Sequence, residues 1–354
     1  MVEDVVSLKL YADSRRLQVL FVGGDSADYL GMSVLNGLLS LPGVDTTTYP
    51  PAELTFQGNR DRYQGDVRGN AFTYFFLNEK PARSRLHVQY GDLSEFDAVI
   101  FSDIHNCFGL FVQFYSRLKR TPKVILDGSD SPVPYPYAGQ YWRNPHYWFL
   151  PRANKIPYFK REWTEETIRY RYFRLLPRAL AKLAPCLMDL RPISFGFPES
   201  KIMNVATEKT QLFASHCVDS EVSKALGKTN GYCFNTEETY YSDLKSSKFG
   251  VTTKRSGWDC LRHYEIAGNG AVPCFRDLDE KPNTCAPHGL VDGTNCVVYK
   301  NAADLLQKVK MSDEQYSRLR EGALVWVRNH TCQKIARSVL DAALDIRLAN
   351  KKTS

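Results

Sequence analysis

Apolar and polar positions in this chain alternate in blocks of two lengths. Leu17 to Val22 (LQVLFV) is an apolar run of strand length that stops at Gly23-Gly24, and an apolar helical pattern follows from Leu30 to Leu41. Asp97 to Phe101 (DAVIF) predicts a second buried strand, followed by Ser102-Asp103-Ile104-His105, and Lys123 to Leu126 (KVIL) a third, ending in Asp127-Gly128-Ser129-Asp130. Strands separated by helices point to a parallel α/β sheet, whose ligands sit beyond the carboxyl ends of the strands. The turns at Gly23, His105 and Asp127 are therefore expected to share one rim.

The pattern breaks at Tyr135 to Trp163, a stretch dense in aromatic and basic residues, and a helical stretch follows to about Leu187. Arg191-Pro192-Ile193-Ser194-Phe195-Gly196-Phe197-Pro198 reads as an extended connector. After it the alternation resumes. Strands are predicted over Thr210–Ala214, Gly231–Phe234, Phe249–Thr252, Ala271–Phe275 and Cys296–Tyr299. Helices are predicted over Ser220–Leu226, Tyr240–Ser247, Trp258–Ala267, Ala302–Val309 and Asp313–Val327. A last helix runs from about Thr331 to Leu348. The expected layout is two α/β units joined by a short linker: domains at 1–195 and 196–330, with a C-terminal helix at 331–354 packing back on the first.

Length agrees with two cores, since 354 residues exceed what one core usually supports. At 43% hydrophobic and 24% charged residues the chain is globular. A net charge of +7 favours anionic ligands such as nucleotide diphosphates, nucleic acid or acidic glycans without choosing among them. No segment reaches the roughly 18–20 apolar residues of a membrane span, and the start lacks the pattern of a secretory signal. Nine scattered cysteines read as reduced thiols of a cytoplasmic protein. Cys285-Ala-Pro-His288 with Cys296 is too sparse for a zinc site, and no required metal or cofactor is expected.

Candidate chemistry concentrates in Ser247 to Phe275 (SKFGVTTKRSGWDCLRHYEIAGNGAVPCF). A strand ends at a turn holding Lys254, Arg255 and Gly257, and a helix starts there carrying Arg262 and Glu265. A helix N-terminus offers free N–H groups and a positive dipole end, which suit phosphate. Arginine forks onto phosphate oxygens, and a carboxylate accepts both hydroxyls of a ribose. Glu265 lies ten residues past Arg255, roughly 15 Å along a helix. A solvated surface turn with Glu265 in an ordinary salt bridge is the competing reading of the same spacing.

Tyr264-Glu265-Ile266-Ala267-Gly268-Asn269-Gly270-Ala271-Val272-Pro273 resembles the E-A-x-A-x-G-x-P-V segment of group 1 glycosyltransferases. The tail from Asn295 to Val309, then Trp326-Val327-Arg328-Asn329-His330-Thr331, resembles the ending of spore-maturation-type glycosyltransferases. The resemblance covers roughly residues 208 to 345. It implies a GT-B architecture, with two Rossmann-like domains facing a central cleft, the first on the acceptor side and the second on the donor side. It also implies a UDP-, GDP- or similar sugar donor, with Glu265 on the ribose and Lys254 and Arg255 on the diphosphate. Gly257 stands where many members carry a second Glu, so a retaining mechanism does not carry over. The Gly23-Gly24-Asp25 turn fits in type the loop that approaches donor and acceptor in many members.

The implied activity is hexosyl or pentosyl transfer to a surface glycan or polysaccharide, with no transmembrane segment and a peripheral membrane association among the options. Two other functions fit the same residues: a transferase that glycosylates a modified DNA base, and an inactive nucleotide-binding protein. Asp127, Asp130 and His105 are the candidates for deprotonating an acceptor hydroxyl. Trp142, Trp148, Lys160 and Arg161 are candidates for an acceptor platform, because aromatic faces stack on sugars and cations hold acidic groups. Tyr158-Phe159-Lys160-Arg161-Glu162 also resembles a segment of bacterial polysaccharide glycosyltransferases.

Overall fold

The computed structural model describes residues 15–63, 72–85, 93–115, 117–118, 121–134, 156–165, 167, 189–205 and 207–352, with the side chains beyond 345 left aside. The chain divides into two compact units. Unit 1 comprises residues 1–64, 74–193 and 332–354, and unit 2 comprises 65–73 and 194–331.

Unit 1 is built on strands β1 (Leu17–Val22), β2 (Val44–Tyr49), β3 (Arg83–Ser84), β4 (Ala98–Phe101), β5 (Lys123–Asp127), β6 (Tyr158–Lys160) and β7 (Leu190–Pro192). They form one sheet in the order β3-β2-β1-β4-β5-β6-β7, every pair parallel. This is the Rossmann order, in which the chain reverses its direction of travel between β1 and β4. Helix α1 (Tyr29–Ser40) follows β1, with Asp28 as its N-cap accepting a hydrogen bond from the Gly31 amide. Helix α2 (Ile104–Tyr115) follows β4, and its Phe108, Phe111 and Phe114 enter a core with Leu20, Val99 and Ile125.

Two strands of this sheet go against the pattern of the sequence. β2 reads Val-Asp-Thr-Thr-Thr-Tyr, yet Thr46, Thr47 and Thr48 are all buried, because β-branched threonine packs in a sheet much as valine does. β6 lies inside the aromatic and basic stretch and buries Lys160 completely. Arg191, expected in a connector, sits in β7, and the chain passes from unit 1 to unit 2 after Ile193.

The last helix α8 (Cys332–Lys352) belongs to unit 1, where it packs along α1. Gly37 makes that approach possible: a Cβ there would lie 2.0 Å from the Cys332 carbonyl oxygen and 2.6 Å from the Ala336 Cβ.

Unit 2 carries a four-stranded parallel sheet in the order β11-β10-β9-β8, from β8 (Gln211–Phe213), β9 (Ser247–Thr252), β10 (Val272–Arg276) and β11 (Val297–Tyr299). Its helices are α3 (Ser220–Leu226), α4 (Glu237–Ser246), α5 (Leu261–Gly268), α6 (Ala302–Lys308) and α7 (Asp313–Asn329). Phe213, Val222, Phe249, Val272, Leu305 and Leu319 are among the residues of its core. The strand expected at Gly231–Phe234 does not form. Tyr232 and Phe234 instead turn their rings onto Tyr240, and Tyr232 meets His216 edge-on.

Helix α5 starts three residues later than expected, at Leu261. Asp259 accounts for the delay. Its carboxylate accepts the Phe195 amide and the Tyr264 hydroxyl, which holds the chain out of the helix as far as the extended Cys260.

Candidate functional site

In unit 2 the turn after β9 is an open loop and not the first turn of a helix. Lys254 and Arg255 are exposed, the Lys254 ammonium lies 4.9 Å from the Trp258 ring centroid, and the Arg255 amide donates to the Gly257 carbonyl at 3.0 Å. His263, fully buried, fixes the loop from below through Thr252 (2.9 Å) and the Trp258 carbonyl (2.9 Å). Glu265 therefore lies only four residues into α5, about 6 Å along its axis, and not 15 Å beyond a helical turn at Arg255.

Arg262 and Glu265 stand three residues apart on α5, the spacing that puts two side chains on one helix face. Glu265 is buried, with Thr73 donating to one carboxylate oxygen and Tyr240 donating to the other at 2.9 Å. Burial pushes the Glu265 pKa up, against the hydrogen bond from Thr73 and the charge of Arg262. A carboxylate offers about four acceptor positions, so each oxygen retains capacity for a further donor. The Arg262 Nε is buried and has no hydrogen-bond partner. A guanidinium with an unpaired buried donor is an unmet demand for an acceptor.

Residues that the sequence did not single out complete this cluster. Thr73, at φ 66°, takes the Tyr241 hydroxyl on its Oγ1 (2.8 Å). The Thr73 amide reaches Glu237 (2.5 Å), which also pairs with Lys201 (2.5 Å). His216 donates from Nδ1 to the Gly231 carbonyl at 2.9 Å, which leaves the lone pair on Nε2. Its pKa is pushed down to about 4 by burial and then by the charge of Arg262, so it is neutral near pH 7. Tyr232 stands half exposed at the edge of the cluster. These residues come from three separate stretches, and no spacing in the sequence links them.

The rim of unit 1 gathers the other candidates. His105 Nε2 lies 3.1 Å from Asp127 Oδ1, and the completely buried Lys160 ammonium lies 3.0 Å from the same oxygen. The Tyr158 hydroxyl donates to Asp127 Oδ2 at 2.6 Å and the Ser129 amide to Oδ1 at 3.0 Å. Burial raises the Asp127 pKa, but Lys160, His105 and Tyr158 outweigh it and hold the carboxyl well below the usual range. Asp127 is thus a permanent acceptor. It fixes the Nε2–H tautomer of His105, whose side chain is 31% exposed.

Several expected site residues are placed differently. Lys160 and Arg161 are buried, Lys160 on Asp127 and Arg161 on the Gly128 carbonyl, Asp130 and Glu162. They are internal counter-charges and not an exposed acceptor platform, because each is surrounded by the acceptors it needs. Asp130 is committed to Arg161. Trp142 and Trp148 lie outside the described residues.

Gly23 and Gly24 are demanded by packing. Gly23 has φ 100°, and a Cβ on Gly24 would lie 2.5 Å from the Pro50 carbonyl oxygen. Asp25 is exposed beside them. Cys285 and Cys296 are buried, and His288 bonds Ser194 at 2.6 Å. Among the described residues no group of three or more His, Cys, Asp or Glu converges as metal ligands do. No helix among them is long and apolar enough to cross a membrane.

No family model matches the chain, and no curated protein matches it. The spore-maturation-type resemblance therefore rests on its motif. Solved structures do match. A glycosyltransferase from Rickettsia africae ESF-5 aligns at 10% identity over 94% of this chain and 98% of that one, with a TM-score of 0.51. The trehalose-6-phosphate phosphatase N-terminal domain of Candida albicans aligns at 11% identity over 93% and 97%, with a TM-score of 0.50. The chain has the GT-B type of α/β fold. A further likeness is to HepE of Anabaena in complex with UDP and glucose, at 8% identity over 92% and 99%, with a TM-score of 0.47. The two higher-scoring likenesses carry the fold across both units, and fold by itself does not set the reaction.

Proposed function

We propose that this protein is a glycosyltransferase that takes a sugar from a nucleoside-diphosphate donor. The observation that carries the reading is in unit 2: the Arg262 guanidinium, with a buried Nε that lacks an acceptor, beside the buried Glu265 carboxylate on one face of α5. An anion and a diol placed together are what this pair accepts, and a nucleoside diphosphate offers both. Arg262 takes the diphosphate with the exposed Lys254 and Arg255, and Glu265 takes the ribose hydroxyls. The resemblance of Tyr264 to Pro273 to the group 1 segment supports the same roles. Charge on the departing diphosphate is met by these cations, so the reading calls for no metal.

His105 is the base in this proposal and Asp127 its positioning residue. The acceptor hydroxyl gives its proton to His105, its oxygen forms the new bond at the anomeric carbon, and the bond to the diphosphate breaks. A base used in this way belongs to a single displacement with inversion. The acceptor is a glycan of a surface polysaccharide in this reading, in keeping with the resemblance at Tyr158 to Glu162, and the protein works in the cytoplasm.

Calorimetry of the full chain with UDP and GDP tests the donor site. Arg262→Met and Glu265→Gln each raise the dissociation constant by one to two orders of magnitude, the loss of about 1–3 kcal/mol expected for a charged hydrogen bond. If both variants fold and bind as the parent does, the donor site is elsewhere. His105→Ala leaves nucleotide binding unchanged and lowers kcat roughly 100- to 10,000-fold. Nucleotide binding without any turnover of sugar donors would point to an inactive nucleotide-binding protein.

A further inference from the structure

A pocket of about 340 Å³ opens in unit 2, along the face of α7 that carries Arg320, Leu324 and Arg328, with Met203 and Val205 as its other wall. It lies at the opposite end of the sheet from the Lys254–Gly257 turn. That turn follows the carboxyl end of β9, whereas the pocket adjoins Gly270, two residues before β10 begins. A Cβ on Gly270 would meet Met203 at 2.2 Å and stand 3.7 Å from the Arg320 Nε. In a parallel sheet those two ends face away from each other.

Arg320 is the unusual member of the lining. Its Nε is buried without a hydrogen-bond partner, and among the described residues it forms no ion pair. The acid beside it is taken, because Glu321 pairs with Arg328 at 3.8 Å. Another cation is close by: Lys209, just before β8, donates to the Lys245 carbonyl at 2.7 Å, and the positive charge of Arg320 acts on it. An uncompensated cation in a partly dry cavity is costly unless an anion joins it. Met203, Leu324 and Val205 are the apolar part of the wall, the last 78% exposed at the mouth, and Asn204 and Ser317 line it beside them. The volume suits a small metabolite.

We propose that this pocket is a second ligand site, which takes the oxyanion of a small molecule (phosphate or carboxylate) on Arg320, with the molecule's carbon body against Met203, Leu324 and Val205. The guanidinium fork presents paired donors to either oxyanion. A site of this kind, separate from the donor nucleotide, gives the protein a place to sense a metabolite.

Calorimetry of the full chain with inorganic phosphate and with butyrate tests it, the two arms separating the two oxyanions. At least one binds in the millimolar range or tighter. Arg320→Met, which keeps the buried volume, weakens that binding at least tenfold and leaves nucleoside diphosphate affinity unchanged. Val205→Glu, at an exposed position that carries no fold, weakens it similarly by placing a like charge at the mouth. Arg262→Met weakens nucleoside diphosphate and leaves the anion alone, so this site and the donor site stand or fall separately. Absence of binding by both anions overturns the proposal. So does binding that Arg320→Met and Val205→Glu leave intact, or that Arg262→Met abolishes.

Discussion

Asp28→Asn is expected to stabilise the protein, and only above a definite pH. Asp28 caps α1 through the Gly31 amide at 2.8 Å, and its carboxylate lies against the Gly128 backbone, so close that a Cβ there would lie 2.4 Å from Oδ1. Burial, and after it the charge of Asp103, pushes the Asp28 pKa up from 3.8 to about 6, against the pull of the Gly31 hydrogen bond. The folded state thus holds this proton more tightly than the unfolded chain does. Stability from this group is full below about pH 4 and is lost as pH rises through about 6. A gap of about two pH units corresponds to about 3 kcal/mol at neutral pH. Asparagine keeps the cap and carries no charge. Urea unfolding from about pH 4 to about pH 8 should show the variant equal to the parent at the acid end. It should be more stable by up to about 3 kcal/mol at the neutral end. A difference that stays constant across that range, or a variant less stable at neutral pH, would refute the assignment of a half-buried, proton-holding Asp28.

Three further outcomes are expected. Gly37→Ala drives a methyl group into the Cys332 carbonyl and should cost about 1–3 kcal/mol, read as a lower Tm, whereas an unchanged or higher Tm would mean that α1 and α8 are not seated this closely. Lys160→Met strands the buried Asp127 charge and should cost about 3–5 kcal/mol, most of it recovered in Lys160→Met with Asp127→Asn; a double variant as unstable as the single one would remove the ion-pair account. Trp142→Ala and Trp148→Ala, if these rings hold acceptor, raise the acceptor KM and leave donor binding alone, and equal loss of both would speak for core packing instead.

The sequence by itself determined the elements whose code is local. β1, β4 and β5 are mainly apolar runs of strand length with glycine or aspartate at or within two residues of their ends, and their parallel order follows from the helices between them. The same patterning located β9, the turn after it and the helix carrying Glu265, so the strand-turn-helix frame of the candidate donor site was legible. The start of that helix was not, because Asp259 spends its carboxylate on Phe195, sixty-four residues away in the chain. Nor were β2 and β6: threonine and lysine read as polar, and only the sheet decides that Thr47 packs inside and that Lys160 meets Asp127. Tertiary structure alone decided who answers each buried charge, from Thr73 and Tyr240 on Glu265 to His105 and Lys160 on Asp127, and left Arg262 and Arg320 with an unanswered donor. The physical reason is one of range. Apolar periodicity records which face of an element avoids water. A buried polar group is satisfied by whatever donor or acceptor the fold brings to it, from any distance along the chain.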